Sequence, residues 1–245
     1  MNDCPEGGLH FRFFPAPADA VAAPDLERRK TVAALGAGAA VLPLLRATPG
    51  LATGPHERLV RPPGSLDEKS FLARCIRCGQ CMKVCPNNAI HPSFAEAGLE
   101  GLWTPVIVPR LGYCEPGCTL CGQVCPTGAI REFTLKEKAW EPQPEPSSTP
   151  IRLGTAFYDH GRCLPWSMAT ECIVCEEWCP TSPKAVFLRP AEVTDAQGNT
   201  RRVRQPYIDL QHCVGCGACE YACPVKDRPA VYVTSAGESR SASNQ

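Results

Sequence analysis

The cysteines are the residues of this chain whose type and spacing could do chemistry. The chain has 245 residues, of which 17 are cysteine, several times the usual share in a globular protein. Cys4 stands alone, and the other sixteen form four groups that each end in Cys-Pro. The groups are Cys75, Cys78, Cys81 and Cys85; Cys114, Cys118, Cys121 and Cys125; Cys163, Cys172, Cys175 and Cys179; and Cys213, Cys216, Cys219 and Cys223. This internal repeat predicts similar metal sites bound through thiolates.

Three uses of such thiols compete, and the spacing separates them. Disulfides are disfavoured, because neighbours two or three residues apart cannot easily bridge each other. Zinc sites use two separated C-x2-C pairs, whereas three closely spaced cysteines exceed one such pair. The first and fourth groups have the run C-x2-C-x2-C-x3-C-P, which is typical of iron–sulfur ferredoxins. We therefore expect all sixteen grouped cysteines to ligate four [4Fe-4S] clusters.

The second and third groups depart from this run. One extra residue separates Cys114 from Cys118, and Cys163 stands nine positions before Cys172. A loop containing Pro165 and Trp166 must fold back to bring the Cys163 thiolate to its site. The alternative is a cluster with three protein ligands, and we prefer Cys163 because no other cysteine is near it in sequence.

The elements that must position these ligands are short. In a ferredoxin run three cysteines wrap one cluster, and the fourth ligates its neighbour. A short strand is predicted after each Cys-Pro and another before the fourth group: Ala89-Ile90, Ala129-Ile130, Ala185-Val186-Phe187, Val231-Tyr232-Val233 and Tyr207-Ile208-Asp209. Gly198-Asn199 between strand-like runs predicts a hairpin. The predicted fold class is α+β: two ferredoxin-like two-cluster modules with short strands, short helices and long loops.

The rest of the chain suggests export. Arg28-Arg29-Lys30 precedes fifteen uncharged residues, 31–45, which predicts a twin-arginine signal, although Glu27 replaces the usual Ser or Thr. An uncleaved leader that anchors the protein to the membrane is the alternative, and Cys4 is interpreted as an unused leader residue. The predicted boundaries are a leader at 1–53, a connecting segment at 54–74, a cluster domain at 75–235 and a disordered tail at 236–245.

Composition and motifs exclude other classes of function. Lys+Arg and Asp+Glu balance at 25 each. The chain therefore lacks the excess of basic residues that would indicate nucleic-acid binding. We find no nucleophile with a base, no phosphate-binding glycine loop and no paired acids, and therefore predict no catalytic residues. His91, His160 and His212 are interpreted as surface or supporting residues, and the tryptophans as packing residues.

The chain resembles the periplasmic four-cluster ferredoxins of the NapG/MauM type. The resemblance is carried by Arg61-Pro62-Pro63-Gly64, by CIRCGQCMKVCP at 75–86, and by the offset Cys163 in CLPW followed by ECIVCEEWCP. The spacing of the second group and the stretch GLWTPVIVPR at 101–110 depart from the family pattern. The resemblance implies an electron carrier between a membrane quinol-oxidising polyferredoxin and a terminal oxidoreductase. The alternative is an iron–sulfur subunit of a complex whose catalysis lies in a partner chain.

Two pairings of the groups remain open. Sequential pairing, first with second and third with fourth, is favoured by the proline-rich linker at 141–150. Nested pairing is favoured by the spacing that the first and fourth groups share, and by a resemblance to four-cluster subunits of molybdenum oxidoreductases. We favour nesting, which predicts four ligand sets: Cys75, Cys78, Cys81 and Cys223; Cys213, Cys216, Cys219 and Cys85; Cys114, Cys118, Cys121 and Cys179; and Cys163, Cys172, Cys175 and Cys125.

Overall fold

The structure is a computed structural model that describes residues 30–39, 57–94, 96–138, 151–194 and 198–240. The chain divides into two compact units, Met1–Ala52 and Thr53–Gln245. In the first unit residues 30–39 are helical and form helix α1. The twin arginines, Cys4 and the predicted linker at 141–150 lie outside the described residues. Among the helices described, none combines the length and the apolar character that crossing a bilayer requires.

The second unit mixes short helices with short strands, as predicted. In chain order they are α2 (Glu68–Arg74), α3 (Gln80–Lys83), β1 (Ile90–Pro92), β2 (Pro105–Ile107), α4 (Leu120–Gln123), β3 (Thr155–Tyr158), α5 (Leu164–Ser167), α6 (Val174–Glu177), β4 (Val186–Thr194), β5 (Thr200–Ile208), α7 (Ala218–Ala222) and β6 (Val231–Thr234).

Four of the short helices follow from the cysteine motif. Helices α3, α4, α6 and α7 each contain the third cysteine of a group, and each ends before the fourth. The Cys-Pro dipeptide explains this end, because proline lacks an N–H and disfavours helical geometry in the residue before it. The motif therefore turns the chain sharply between the third and the fourth cysteine.

One pattern of strand pairing occurs twice, in a first half at 57–138 and a second half at 151–240. In the second half β3 pairs with β6 and β4 pairs with β5, both antiparallel. In the first half β1 pairs with β2, and a bridge joins Ser65 to Ile130. Each half contains two cysteine groups. Its outer pair joins the segment before the first of these groups to the segment after the second. The inner pair connects the two groups directly.

Strands follow the first, third and fourth Cys-Pro as predicted, whereas the predicted strand at Ala129-Ile130 is reduced to a single bridge between Ile130 and Ser65. The hairpin at Gly198-Asn199 is confirmed by the β4–β5 pairing. Strands β2 and β3 were not predicted. The apolar pairs after Cys-Pro form the centre of the core, where no side chain is more than 5% exposed: Ala89, Ile90, Ala129, Ile130, Ala185, Val186, Ala230 and Val231. Cysteines complete this core, so large aliphatic side chains are not its only source of stability.

Contacts between the two halves fix their relative position. The Arg110 guanidinium donates to the carbonyl oxygens of Cys223 at 3.1 Å and Lys226 at 2.8 Å, just beyond α7. The backbone N–H of Cys114 donates to the Cys216 carbonyl at 2.8 Å. Gly217 has φ +87°, and a Cβ there would lie 2.7 Å from the Pro109 Cβ. A glycine is therefore required where the first half covers the fourth cysteine group.

Residues on both sides of the predicted cluster domain are packed into it. Arg61 is 1% exposed, and its guanidinium pairs with Glu68, which also accepts from Arg240 at 2.8 Å. Arg240 in turn pairs with Glu238 at 2.6 Å. The packed structure thus includes residues 57–74 and 236–240, because Glu68 binds both the buried Arg61 and Arg240.

Candidate iron–sulfur sites

Three cavities are each lined by four cysteines. Their cysteine sets are Cys85, Cys114, Cys118 and Cys121 for site 2; Cys179, Cys213, Cys216 and Cys219 for site 3; and Cys163, Cys172, Cys175 and Cys223 for site 4. Each cavity has an empty volume of about 340 Å³. Equal volumes with equal donor sets indicate the same kind of occupant in all three.

The remaining four grouped cysteines lie near one another and define site 1. Burial, together with negative charge on Cys75, Cys78 and Cys125, raises the pKa of the Cys81 thiol to about 12. Burial also raises the pKa of Cys75, and charge on Cys125 adds to this shift. Such effects need short distances, so Cys125 of the second group belongs with the first three cysteines of the first group.

The nested pairing is wrong. Each site takes three cysteines from one group and the fourth from the other group of the same half: Cys85 joins the second group, Cys179 the fourth and Cys223 the third. The inner hairpin is the physical reason, because antiparallel pairing of β4 with β5 returns the chain from the third group directly to the fourth.

Cys163 reaches its cavity despite its distance in sequence from Cys172. It stands immediately before α5, and the N–H of Trp166 donates to its carbonyl oxygen at 3.0 Å. Pro165 at the start of α5 is compatible with a first helical turn, where its missing N–H is not needed. This turn buries the Cys163 side chain, which is 6% exposed, so Cys163 stands with three other thiols as predicted.

Backbone N–H groups point at the sulfur of the fourth cysteine in three groups. The donors are Ala89 to Cys85 at 3.3 Å, Ile130 to Cys125 at 3.4 Å, and Ala230 to Cys223 at 3.4 Å. In the third group the Ala185 N–H instead donates to the Thr181 hydroxyl oxygen, which lies 3.3 Å from the Cys179 sulfur. Each strand after Cys-Pro therefore begins with a polar contact that holds a sulfur.

A tyrosine hydroxyl supplies a further contact to sulfur. Tyr158 ends β3, and its hydroxyl donates to the Cys175 sulfur at 3.1 Å. Burial, then charge on Cys175, raises the pKa of Tyr158 well above its ordinary value, so the oxygen keeps its proton. No local sequence pattern indicates this residue, because its contact spans 17 positions and depends on the β3–β6 register.

The donor set and its surroundings fit a four-iron cluster. Burial is the largest cause that raises the pKa of Cys121 and Cys163 to about 12 and of Cys175 to about 11. The protein alone thus disfavours thiolates here, and metal ions would supply the missing positive charge. Within the described residues no group of three or more Cys, His, Asp or Glu side chains is arranged to hold one metal ion. A cubane is a larger body whose four corners each bind one cysteine.

The four sites follow one another through the second unit. Charge on Cys81 of site 1 raises the pKa of Cys121 in site 2, and charge on Cys114 of site 2 raises that of Cys216 in site 3. Charge on Cys175 of site 4 likewise acts on Cys219 of site 3. These neighbour relations give the order 1, 2, 3, 4. Among the sixteen grouped cysteines, which all lie in the described part of the chain, only Cys78 is exposed.

Comparison with known proteins gives a consistent result. The model of the family described as "4Fe-4S dicluster domain" matches residues 74–129, and that of the "4Fe-4S binding domain" family matches residues 204–225. The methylamine utilization ferredoxin-type protein MauM of Paracoccus denitrificans is 34% identical over 206 residues, which cover 81% of this chain and 80% of the relative. No solved structure matches.

Two proteins of Escherichia coli are also similar to this chain. The ferredoxin-type protein NapG is 33% identical over 177 residues, covering 71% of this chain and 69% of NapG. The ferredoxin-type protein NapF is 30% identical over 174 residues, covering 71% of this chain and 85% of NapF.

Proposed function

This chain belongs to the MauM and NapG family of ferredoxin-type proteins with 4Fe-4S domains, and on that premise we propose that it carries electrons between two redox partners through four [4Fe-4S] clusters. The observation that carries the count is the presence of three cavities of about 340 Å³, each lined by four cysteines. The four remaining cysteines, mutually close, supply the fourth donor set.

The proposed ligands are the sixteen grouped cysteines, assigned by site. Site 1 uses Cys75, Cys78, Cys81 and Cys125; site 2 uses Cys85, Cys114, Cys118 and Cys121; site 3 uses Cys179, Cys213, Cys216 and Cys219; and site 4 uses Cys163, Cys172, Cys175 and Cys223. A bound four-iron cluster supplies reversible one-electron chemistry at each site.

The protein's own contribution is to hold the sulfurs and exclude water. Apolar side chains such as Ile90 and Ile107 at site 2, or Val186 and Val233 at site 3, line the cavities. Backbone N–H groups at fixed distances hold the sulfurs between these walls, so little has to rearrange when charge changes. We propose no catalytic residues, because the function is electron transfer between partners.

We propose that site 1 faces a partner. Cys78 is exposed, as are Ile76 (63%) two residues before it and Trp103 (55%) on a separate loop. The Arg77 guanidinium donates to the carbonyl oxygens of Glu100 and Leu102 at 2.7 and 2.8 Å, which holds the loop bearing Trp103 against this site. Exposed apolar side chains around a redox site favour a protein partner.

The proposed partners and compartment follow the family resemblance. The donor would be a membrane quinol-oxidising polyferredoxin and the acceptor a terminal oxidoreductase, with the chain exported to the periplasm by the twin-arginine route. The test of the route is replacement of Arg28 and Arg29 by lysine, which should leave the protein in the cytoplasm. Arrival of this variant in the periplasm would contradict it.

Metal analysis tests the central claim. Four cubanes require about 16 iron and about 16 acid-labile sulfide per chain after anaerobic purification. A value near eight irons, or stoichiometric zinc, would contradict four clusters.

A dedicated carrier also needs a partner for turnover: reduced protein should pass electrons to an added oxidoreductase and show no substrate turnover alone. Turnover by the isolated chain would favour an enzyme instead.

A further inference from the structure

Tyr158 is held rigidly beside one site. Residues Thr155–Tyr158 form β3, and Tyr158 lies opposite Val231 in the β3–β6 pair. The next residue, Asp159, donates its N–H to the Ala230 carbonyl at 2.7 Å and accepts from the N–H of Cys163 at 3.2 Å. The tyrosine therefore stands between two segments that carry cysteines of site 4, and its hydroxyl donates to Cys175 at 3.1 Å.

We propose that this hydroxyl raises the reduction potential of site 4 relative to the same site without it, an inference that rests on the proposed function. Reduction adds one electron, and much of the added negative charge is carried by the sulfurs. A donor to sulfur therefore stabilises the reduced form more than the oxidised form. No covalent bond forms or breaks, the electron comes from the redox donor, and the proton stays on the Tyr158 oxygen.

The contact distinguishes site 4 from the other three. In the described part of the chain, the other donors aimed at these sulfurs include backbone N–H groups at 3.3–3.5 Å, threonine hydroxyls at 3.3 and 3.8 Å and, at Cys114 of site 2, the Lys138 ammonium. Backbone donors occur in both halves and so act on several sites alike. Tyr158 is the phenol among these contacts and acts on site 4 through its side chain, so substitution can remove its hydroxyl without changing the backbone.

The test uses the full-length loaded protein and Tyr158→Phe. In an EPR-monitored potentiometric titration, one cluster of the variant should move to more negative potential and the others should stay. The reduced-to-oxidised ratio at fixed potential should fall about tenfold for that cluster, which equals about 59 mV for a one-electron couple. Tyr232→Phe is the matched control, because Tyr232 lies on β6 opposite Phe157, the neighbour of Tyr158 that faces the other side of the sheet.

The outcomes test the role of Tyr158 separately from the proposed electron-transfer function. A wild type without iron and sulfide would overturn the proposed function. A fully loaded wild type and a fully loaded Tyr158→Phe with identical potentials would overturn only the role of Tyr158. If the variant loses iron at site 4, pulsed EPR of wild-type protein that carries tyrosine labelled with 17O at the hydroxyl decides: a coupling of this oxygen to one reduced cluster supports the contact, and its absence contradicts it.

Discussion

The first and second halves share one strand pattern but bury their cysteines to different depths. In the second half every cysteine of the fourth group is between 7% and 9% exposed. In the first half Cys78 is exposed, and Cys75 and Cys85 are half-buried. The cover over the fourth group comes from the first half, through Pro109 against Gly217 and Arg110 against the end of α7. Access to a site is therefore set by its neighbours rather than by its motif.

Removing iron should give the largest effect and should separate the halves. Because cysteines form part of the core, we expect a chelator under anaerobic conditions to unfold the protein. The site containing Cys78 should lose iron first and the site containing Cys216 last. Iron release, followed by EPR alongside far-UV circular dichroism, measures this order. Simultaneous loss from all sites would contradict the contrast in burial.

Glu68→Gln tests the ion-pair network that connects Arg61 and Glu68 of the first half to Arg240 of the second. Burial opposes the charge on Glu68, but hydrogen bonds and charge from Arg61 and Arg240 outweigh it, so its pKa is lowered. A lowered pKa stabilises the fold above the carboxyl's unfolded pKa of about 4.3, and this stabilisation disappears as the pH falls through the folded pKa. At pH 7 the variant should lose about 3 kcal/mol, because Arg61 stays buried without a full partner. Thermal unfolding measures the loss.

Arg110→Ala tests the contact between the halves. Its guanidinium donates to carbonyl oxygens of Glu220, Cys223, Val225 and Lys226. Removal of the guanidinium leaves carbonyl oxygens at the end of α7 without this donor. The free energy of unfolding should therefore decrease by about 2 kcal/mol. Arg131→Ala is the control, because the Arg131–Glu137 pair is half-exposed and should contribute below about 1 kcal/mol. Equal losses would show that Arg110 adds no connection between halves.

Glu220→Gln should give the smallest effect, with the opposite pH dependence to Glu68. Burial raises the pKa of Glu220, although the Val233 N–H donates to its carboxylate at 2.7 Å. A raised pKa gives stability that is complete below the unfolded pKa and is lost as the pH rises through the folded pKa. Relative to wild type, the variant should therefore gain stability as the pH rises above the carboxyl's unfolded pKa of about 4.3, by about 1 kcal/mol or less. A gain toward low pH would contradict this assignment.

The sequence predicts well what is local and poorly what depends on distant contacts. The groups of cysteines, the short strands after Cys-Pro and the return of Cys163 follow from spacing within a few residues. The nested pairing failed because similarity of spacing between two groups says nothing about their distance in space. The predicted hairpin at Gly198-Asn199 indicated the correct pairing, since it connects the third group to the fourth.

Residues that act across the fold could not be predicted in this way. Arg110 reaches carbonyls 113 to 116 positions away, and the Lys138 ammonium donates to the carbonyl oxygens of Glu115 and Cys118. No local pattern distinguishes these cations from the arginines that lie in exposed ion pairs. Their roles depend on strand register and on how the halves meet, which the spacing of motifs does not encode.

The ion-pair network of Arg61, Glu68, Glu238 and Arg240 has a consequence for biosynthesis. Ser235 also donates its N–H to the Glu57 carbonyl at 2.7 Å, so residues 235–240 complete packing that involves residues synthesised about 170 positions earlier, at 57–68. A ribosome-bound chain that lacks 235–240 leaves Arg61 and Glu68 without Arg240. The first half therefore cannot complete its packing before residues 235–240 have been synthesised, so the two halves do not mature one after the other.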